Sequence, residues 1–258
     1  MLPVEVVAWP LGDPIAGPIA LALAGALAGA ANTLAGGGSF IILPILIGLG
    51  LSPGVANATS RIGVLAHGSA ATLTFMRAGA LPSGLILRMA APMCVGALGG
   101  AWLATRLDDD LLRPLFGAVL LVWAVILLVR PGRFIQPPAQ PQVPGPLAYG
   151  LALLIGVYGG FLQAGVGFPL MALFVSMLGH TALSGNAAKV ALVFLYTVVA
   201  LAMFAASGEV AWREGAVLAV GMMAGGVIGA RLQLRVGPGL VRWSMLVMVA
   251  ISGLALLL

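Results

Sequence analysis

Charged side chains are scarce in this sequence: they make up 7% of its 258 residues, with twelve basic and seven acidic positions. An ordinary soluble domain carries roughly 25%. Hydrophobic residues account for 61%, and the mean hydropathy is +1.14. No soluble fold buries this much apolar surface, so most of it must face lipid or other apolar helices. The composition predicts an all-α integral membrane protein in contact with the lipid bilayer.

Cysteine is nearly absent, since Cys94 is the single one. This excludes an intramolecular disulfide and a cysteine metal cluster, and Cys94 is predicted to be a small packing residue. We expect no metal and no other cofactor. The net charge is +5, but the arginines stand singly in short loops without a basic run. That pattern excludes a nucleic-acid partner and is typical of topology signals. The first residues lack a basic n-region, so no cleavable signal peptide is predicted.

Long apolar runs fill most of the chain. Two further apolar pieces, 39–50 and 167–179, are too short for a comfortable crossing, and each follows a glycine-containing break. Segment 131–146 is a proline-rich linker without helix potential. Stretches of about 20 apolar residues are placed at 15–35, 54–78, 84–105, 111–130, 147–163, 182–207, 212–232 and 239–258.

The two sides of the linker repeat each other. At an offset of 128, Phe40 matches Phe168 and Arg61 matches Lys189. At an offset of 129, glycines and arginines of the late segments match in the same way. A nearly constant offset predicts a first repeat over 1–130 and a second over 147–258, joined by the linker 131–146.

Loop charge decides the orientation of the repeats. If both short pieces cross, cytoplasmic ends carry seven basic residues and external ends three; if both are re-entrant, the division is five against five. The positive-inside rule favours about ten transmembrane segments with the N-terminus and the C-terminus outside. An odd number per half makes two inverted five-segment repeats, each with a short interrupted helix. Such repeats are typical of secondary transporters with a midplane site.

Three consecutive glycines, Gly36 to Gly38, precede the first short piece. Non-helical backbone at membrane depth survives only beside protein or a wet cavity, which predicts a buried break. The break creates a helix N-terminus near Ser39, where amide groups and the helix dipole attract anions. In the second half, Gln163, Gly165 and Gly167 form the matching break. The alternative is close helix packing, which is the prediction for the later stretch "GMMAGGVIG".

Two cations lie inside predicted spans, Arg61 and Lys189. The seven acidic residues lie in loops or at the ends of the predicted spans, so neither cation has an obvious carboxylate partner, and a mobile anion is the predicted partner. The alternative is that both side chains snorkel to the interface. Polar neighbours add hydrogen-bond donors: Asn57, Thr59 and Ser60 beside Arg61, and Asn186 beside Lys189.

His67 lies in the same helix as Arg61. It is either a proton carrier or a satisfied polar core residue. His180 falls in a predicted loop, where no functional role is expected.

The stretch "AGGGSFIILPILIGLGLSPGVANATSRIG" resembles the first-half motif of the sulfite exporter TauE/SafE family, also called TSUP transporters. In this motif a glycine run leads to a short apolar segment, a proline-containing turn and a polar helix start. The later stretches "GGFLQAGVGFPLMALF" and "GMMAGGVIGARLQLRV" are also similar to that family. The resemblance implies transport of sulfur-containing anions, such as sulfite, sulfoacetate or related sulfonates, usually outward, across a bacterial-type inner membrane.

The residues and the resemblance together predict an exporter that works by alternating access. Export of an anion from a cell that is negative inside needs no coupling, since the potential supplies ~2.3 kcal/mol per charge per 100 mV. An anion channel, a proton-coupled importer of sulfonates or carboxylates with His67 as relay, and a structural membrane subunit remain alternatives; a homo-oligomer also stays open. No catalytic cluster at useful spacing supports an enzyme. The predicted substrate-binding residues are Gly37, Gly38, Ser39, Asn57, Thr59, Ser60, Arg61, Gln163, Gly165, Asn186 and Lys189.

Overall fold

A computed structural model describes residues 15–34, 36–129 and 142–236 of the chain. Over these ranges the protein is helical and contains no strand. The predicted linker up to residue 141 and the predicted last span at 239–258 lie outside the described residues. The elements are α1 (Ala16–Leu34), α2 (Ser39–Gly48), α3 (Pro53–Arg77), α4 (Ser83–Ala104), α5 (Asp109–Val129), α6 (Pro146–Phe161), α7 (Gly167–Met171), a π-helical segment (Ala172–Met177), α8 (Ala182–Ser207) and α9 (Trp212–Val236).

Local sequence explains where the two central helices begin. Ser52 precedes α3, and its hydroxyl oxygen accepts a hydrogen bond from the amide of Val55 at 3.5 Å. Thr181 precedes α8 and accepts from the amide of Ser184 at 3.2 Å. Both are N-caps that satisfy an otherwise unpaired helix amide. Gly208 ends α8 with φ +79°, a left-handed conformation that glycine adopts without penalty.

Four of the described helices, α1, α4, α8 and α9, are long and apolar enough to cross a membrane. They expose large apolar side chains such as Leu27, Leu87 and Val220, which are 70%, 77% and 64% exposed. Helix α3 is as long as these, but its buried face carries polar residues. An apolar exterior around a polar interior is the arrangement that a lipid solvent favours. The predicted multi-pass helical membrane protein is confirmed at this level.

Small residues allow α1 to pack closely on α9. Gly225 and Gly229 of α9 lie against Ala26 and Ala30 of α1, and a Cβ on Gly225 would collide with the carbonyl oxygen of Ala26. The same arrangement recurs where Gly96 and Gly100 of α4 lie against α6. These are the close contacts that small residues four apart permit. The packing role predicted for "GMMAGGVIG" is confirmed.

The order of these contacts gives the helix directions. Later residues of α1 meet later residues of α9, and the same holds for α3 on α9 and for α6 on α4. Helix α3 runs opposite to α8, because Arg61 meets Phe204 while Gly68 meets Phe194. The end of α4 lies beside the end of α8, near Phe204, and its start lies beside Phe194. Helices α1, α3 and α9 therefore point one way, and α4, α6 and α8 point the other way.

Candidate functional site

The two helix breaks meet inside the protein. The first separates α1 from α2 at Gly36 to Gly38, as the sequence predicts. Gly36 has φ +81°, and a Cβ there would lie 2.6 Å from the Cα atom of Gly167 in the other half. Behind this contact the rings of Phe40 and Phe168 stack with centroids 6.4 Å apart. Only residues without side chains allow the two backbones to approach this closely.

The second break separates α6 from α7 and contains an unusual residue. Gln163 has φ +69°, the one non-glycine residue with positive φ in the described part of the chain. It is 3% exposed. The hydroxyl of Tyr158 donates a hydrogen bond to the carbonyl oxygen of Ala164, next in sequence, and thereby fixes the break. A buried left-handed glutamine is strained, and such residues concentrate at functional sites.

Lys189 binds the end of the helix before the first break. Its Nζ atom donates to the carbonyl oxygens of Asn32 and Thr33 at 3.1 and 3.3 Å. Asn186 donates to the carbonyl oxygen of Thr33 at 2.8 Å and to Oε1 of Gln233 at 2.6 Å. A helix C-terminus carries unpaired carbonyls and the negative end of the dipole, so a cation stabilises it. Lys189 on α8 thus caps α1, a helix of the other half.

Arg61 does the same for the helix before the second break. Its two terminal nitrogens donate to the carbonyl oxygens of Gly159 and Gly160 at 2.6 and 2.8 Å. Asn57, one turn earlier on α3, donates to the carbonyl oxygen of Phe161 at 2.8 Å. The guanidinium lies 5.3 Å from the ring centroid of Phe204. Each half therefore presents an asparagine and a cation to the broken helix of the other half.

These contacts exclude the snorkelling alternative. Arg61 is 0% exposed and Lys189 1% exposed, and both are bonded to backbone carbonyls of a neighbouring helix. A snorkelling side chain would instead follow the apolar surface to the membrane interface.

A small cavity lies where the two breaks meet. The centre of a water-sized sphere can occupy about 10 Å³ of this cavity, which leaves room for roughly one water molecule. Beside it, the amide nitrogen of Asn32 lies 2.9 Å from Nε2 of His67. Within the described ranges, both atoms of the Gln163 amide lack a hydrogen-bond partner, as does Nδ1 of His67. The lining residues are Asn32, Gly36, His67, Gln163, Val166, Gly167, Lys189, Val190 and Val193.

Three of the sequence-predicted residues therefore line one cavity: His67, Gln163 and Lys189. Arg61 and Asn57 are at the end of α6, and Asn186 is at the end of α1. The predicted binding roles of these residues stay predictions.

The remaining predicted residues sit around the helix starts. Ser39 is buried in the first turn of α2, where the carbonyls of Gly37 and Gly38 accept hydrogen bonds from the amides of Phe40 and Ile41. Thr59 accepts from the amide of Ala211, which ties α3 to the start of α9. Ser60 donates to the carbonyl oxygen of Asn57 within its own helix. Gly165 supplies the second left-handed residue of the second break, with φ +75°.

Two residues of this region escaped the sequence analysis. Asn32 lines the cavity and bonds His67, while Gln233 receives a hydrogen bond from Asn186. The sequence feature that could have identified both residues is an amide side chain inside an apolar helix. Such a group must find a partner when it is buried in a membrane protein.

Paired interrupted helices that meet at a buried polar cavity are the construction of membrane transporters. The comparison with protein families agrees: the model described as "Sulfite exporter TauE/SafE" matches residues 21–256. The chain belongs to this family, whose members are membrane transporters rather than enzymes. The resemblance stated from the sequence is confirmed.

Similar curated proteins carry matching names. The "Probable membrane transporter protein ORF9" of Sinorhizobium sp is 29% identical over 86% of this chain and 84% of its own. The "Probable membrane transporter protein YfcA" of Escherichia coli K12 is 27% identical over 88% and 84%. The "Probable membrane transporter protein YjnA" of Bacillus subtilis is 26% identical over 86% and 92%. No solved structure matches the chain significantly.

Proposed function

We propose that this protein exports a small sulfur-containing anion, such as sulfite, sulfoacetate or a similar sulfonate, by alternating access. The observation that carries the proposal is the cavity between the two breaks, where Lys189 and the unpartnered amide of Gln163 face the same space. The family description adds sulfite to the candidates.

Helix directions support the proposed topology. Helices α1 and α3 point the same way, so α2 must bring the chain back between them. Helices α6 and α8 also share a direction, so α7 and the π-helical segment must do the same. Counting both short pieces as traverses gives nine segments in the described residues, and the predicted span 239–258 outside them makes ten. Equivalent helices of the two halves run in opposite directions. We therefore propose two inverted five-segment repeats with both termini outside a bacterial-type inner membrane.

The charge of the cavity favours an anion. An ammonium group has three donor hydrogens, and Lys189 donates to two carbonyls. A further donor is thus available to a ligand. The acidic residues in the described part of the chain, such as Asp109 and Glu209, lie in loops or at helix ends. An oxyanion in this cavity would complete the pairing of a buried charge, which is costly when left unpaired.

The cavity is smaller than any of these anions, so transport requires it to widen. The two sets of helices that point in opposite directions are the two bodies that would move relative to each other. One set is α1, α3 and α9, and the other is α4, α6 and α8. Rocking of one bundle against the other around a central site is the usual form of alternating access.

A second candidate, proton-coupled import, rests on the position of His67. This histidine lines the cavity, is 1% exposed, and has one ring nitrogen without a partner among the residues that the structure describes. A proton gained by this ring would repel the charge of Lys189 and attract any bound anion. In this case the proton gradient, acting through His67, would set the direction of transport.

The test is sulfite flux from proteoliposomes under an imposed potassium diffusion potential, with and without a pH gradient. We expect saturable flux that follows the potential alone, is lost in Lys189→Met and is retained in His67→Gln. Arg106→Met is the matched control, because Arg106 is exposed and lies over the ring of Trp102. Flux that requires a proton gradient would replace export with the second candidate. Flux without saturation would indicate a channel.

A further inference from the structure

We infer that the cavity selects an oxyanion that still carries a hydroxyl hydrogen, and that Gln163 is the residue that makes this selection. The ligand class is the hydrogen-bearing monoanion, with hydrogensulfite as its sulfur member. It would be preferred over the sulfite dianion and over monoanions without a hydroxyl, such as methanesulfonate. The inference rests on the proposed function, which it narrows to one protonation state.

The Gln163 amide is held in place but left unsatisfied. The residue is 3% exposed, sits in a strained left-handed conformation, and neither amide atom has a partner in the described part of the chain. Whichever way the amide is flipped, it presents one NH₂ donor and one carbonyl acceptor to the cavity. A buried polar atom without a partner costs free energy, so the ligand that binds best satisfies both.

The rest of the wall supplies donors. With the amide nitrogen of Asn32 as the donor, Nε2 of His67 accepts, and the neutral ring then carries its hydrogen on Nδ1, which has no partner in the described residues. Lys189 adds an ammonium hydrogen. The other lining residues are Gly36, Gly167 and three valines. Two side-chain carbonyls of the lining can accept a ligand hydrogen, those of Asn32 and Gln163, and only Gln163 has both amide atoms without a partner in the described residues.

This pattern of donors and acceptor fits one kind of anion. Several oxygens can accept from Lys189, His67 and the Gln163 amide nitrogen, while a single O–H donates to the Gln163 carbonyl. A fully deprotonated anion leaves that carbonyl unpaired. Lys189 is the one lysine or arginine in the lining. A dianion would bring a second buried negative charge without a partner, which is unfavourable.

The test measures the affinity of the purified full-length protein for sulfite and for methanesulfonate across the second ionisation of sulfurous acid. Methanesulfonate is a monoanion without a hydroxyl throughout this pH range, so it corrects for titration of His67 and Lys189. We expect the ratio of sulfite to methanesulfonate affinity to fall about tenfold per pH unit above that ionisation. A ratio that stays flat or rises overturns the inference and leaves the transporter in place. If neither anion binds at any pH, the proposed function fails as well.

Variants locate the selection. Gln163→Met keeps the length of the side chain but removes both polar atoms. We expect it to lose about tenfold in affinity for sulfite at low pH, the worth of one buried hydrogen bond, and much less for methanesulfonate. Gln142→Met is the matched control, because Gln142 is exposed and lies outside the cavity lining. Equal losses of affinity for both anions in Gln163→Met would overturn the assignment. Unchanged affinities for both anions would overturn it too, and would mean that the amide holds a structural water.

Discussion

Replacing Arg61 by methionine tests whether this cation acts on the protein backbone. The guanidinium is fully buried and donates to the carbonyls of Gly159 and Gly160 at the end of α6, and to the side chain of Asn57 at 3.4 Å. Methionine keeps an unbranched apolar chain in the same space but has no donor. Two carbonyls at the negative end of a helix dipole lose their partner in Arg61→Met.

The expected loss of stability follows from those two carbonyls. A buried acceptor left unpaired costs about 1–3 kcal/mol. The desolvation of the guanidinium is no longer required in the variant, which offsets part of the loss. We therefore expect a net destabilisation of roughly 2–4 kcal/mol, which corresponds to a fall of roughly 5–15 °C in the midpoint of thermal unfolding for a chain of this size.

The assay is thermal unfolding of the purified protein in detergent, with anion binding measured on the same samples below the transition. Arg106→Met, at an exposed site, is the control and should shift the midpoint by no more than about 1–2 °C. Arg61→Lys, which retains one set of donors, should recover part of the loss. Suppose instead that Arg61→Met unfolds at the wild-type temperature and yet binds no anion. The capping argument would then be wrong, and Arg61 would act on the substrate, as the sequence alone suggested.

Two further changes test the breaks and the loops. Gly36→Ala should abolish transport and lower the unfolding midpoint, because residue 36 has φ +81° and its Cβ would lie 2.6 Å from the Cα of Gly167. Gly48→Ala is the control and should do neither, because there is open space around Gly48. Equal behaviour of the two variants would contradict the close approach of the two breaks. In the α8–α9 turn, partial burial and then Asp109 raise the pKa of Glu209, with a partial offset by Ser207. The folded state thus binds this proton more tightly than the unfolded state, so stability falls as pH rises from the ordinary glutamate pKa through the raised value. Glu209→Gln should be the more stable protein at neutral pH and equal to wild type in acid; thermal unfolding at a series of pH values checks this, and a constant difference would refute it.

Helix positions were predictable because glycine and proline interrupt the apolar runs at the breaks. The predicted start of α2 at Ser39 is observed, and so is the placement of Arg61 and Lys189 about two turns into long helices. The unequal lengths of the apolar runs also separated α2 and α7 from the full spans. Such signals are local, and a single sequence contains them.

The partners of the two cations were not predictable, for a physical reason. A sequence shows which side chains could pair with each other. Because the acidic residues lie in loops or at the ends of the predicted spans, the predicted partner of both cations was a mobile anion. In the structure, both Arg61 and Lys189 donate to backbone carbonyls of a neighbouring helix, which every residue carries and no sequence pattern marks. Those carbonyls lie at helix C-termini only because α1 and α6 end inside the protein. A break in one half therefore creates the requirement for a cation, and the other half meets it.

This exchange of caps restricts how the proposed transporter can move. Arg61 belongs to the set of helices α1, α3 and α9 but binds α6, while Lys189 belongs to the set α4, α6 and α8 but binds α1. Both caps therefore bridge the two sets. A fully buried cation leaves its carbonyls only at a cost of several kcal/mol, so a movement that keeps both caps intact is strongly favoured. Points that stay in contact while two bodies rotate lie on the axis of rotation. We therefore expect the rocking axis to pass through Arg61 and Lys189, with access to the cavity changing on either side of the line between them.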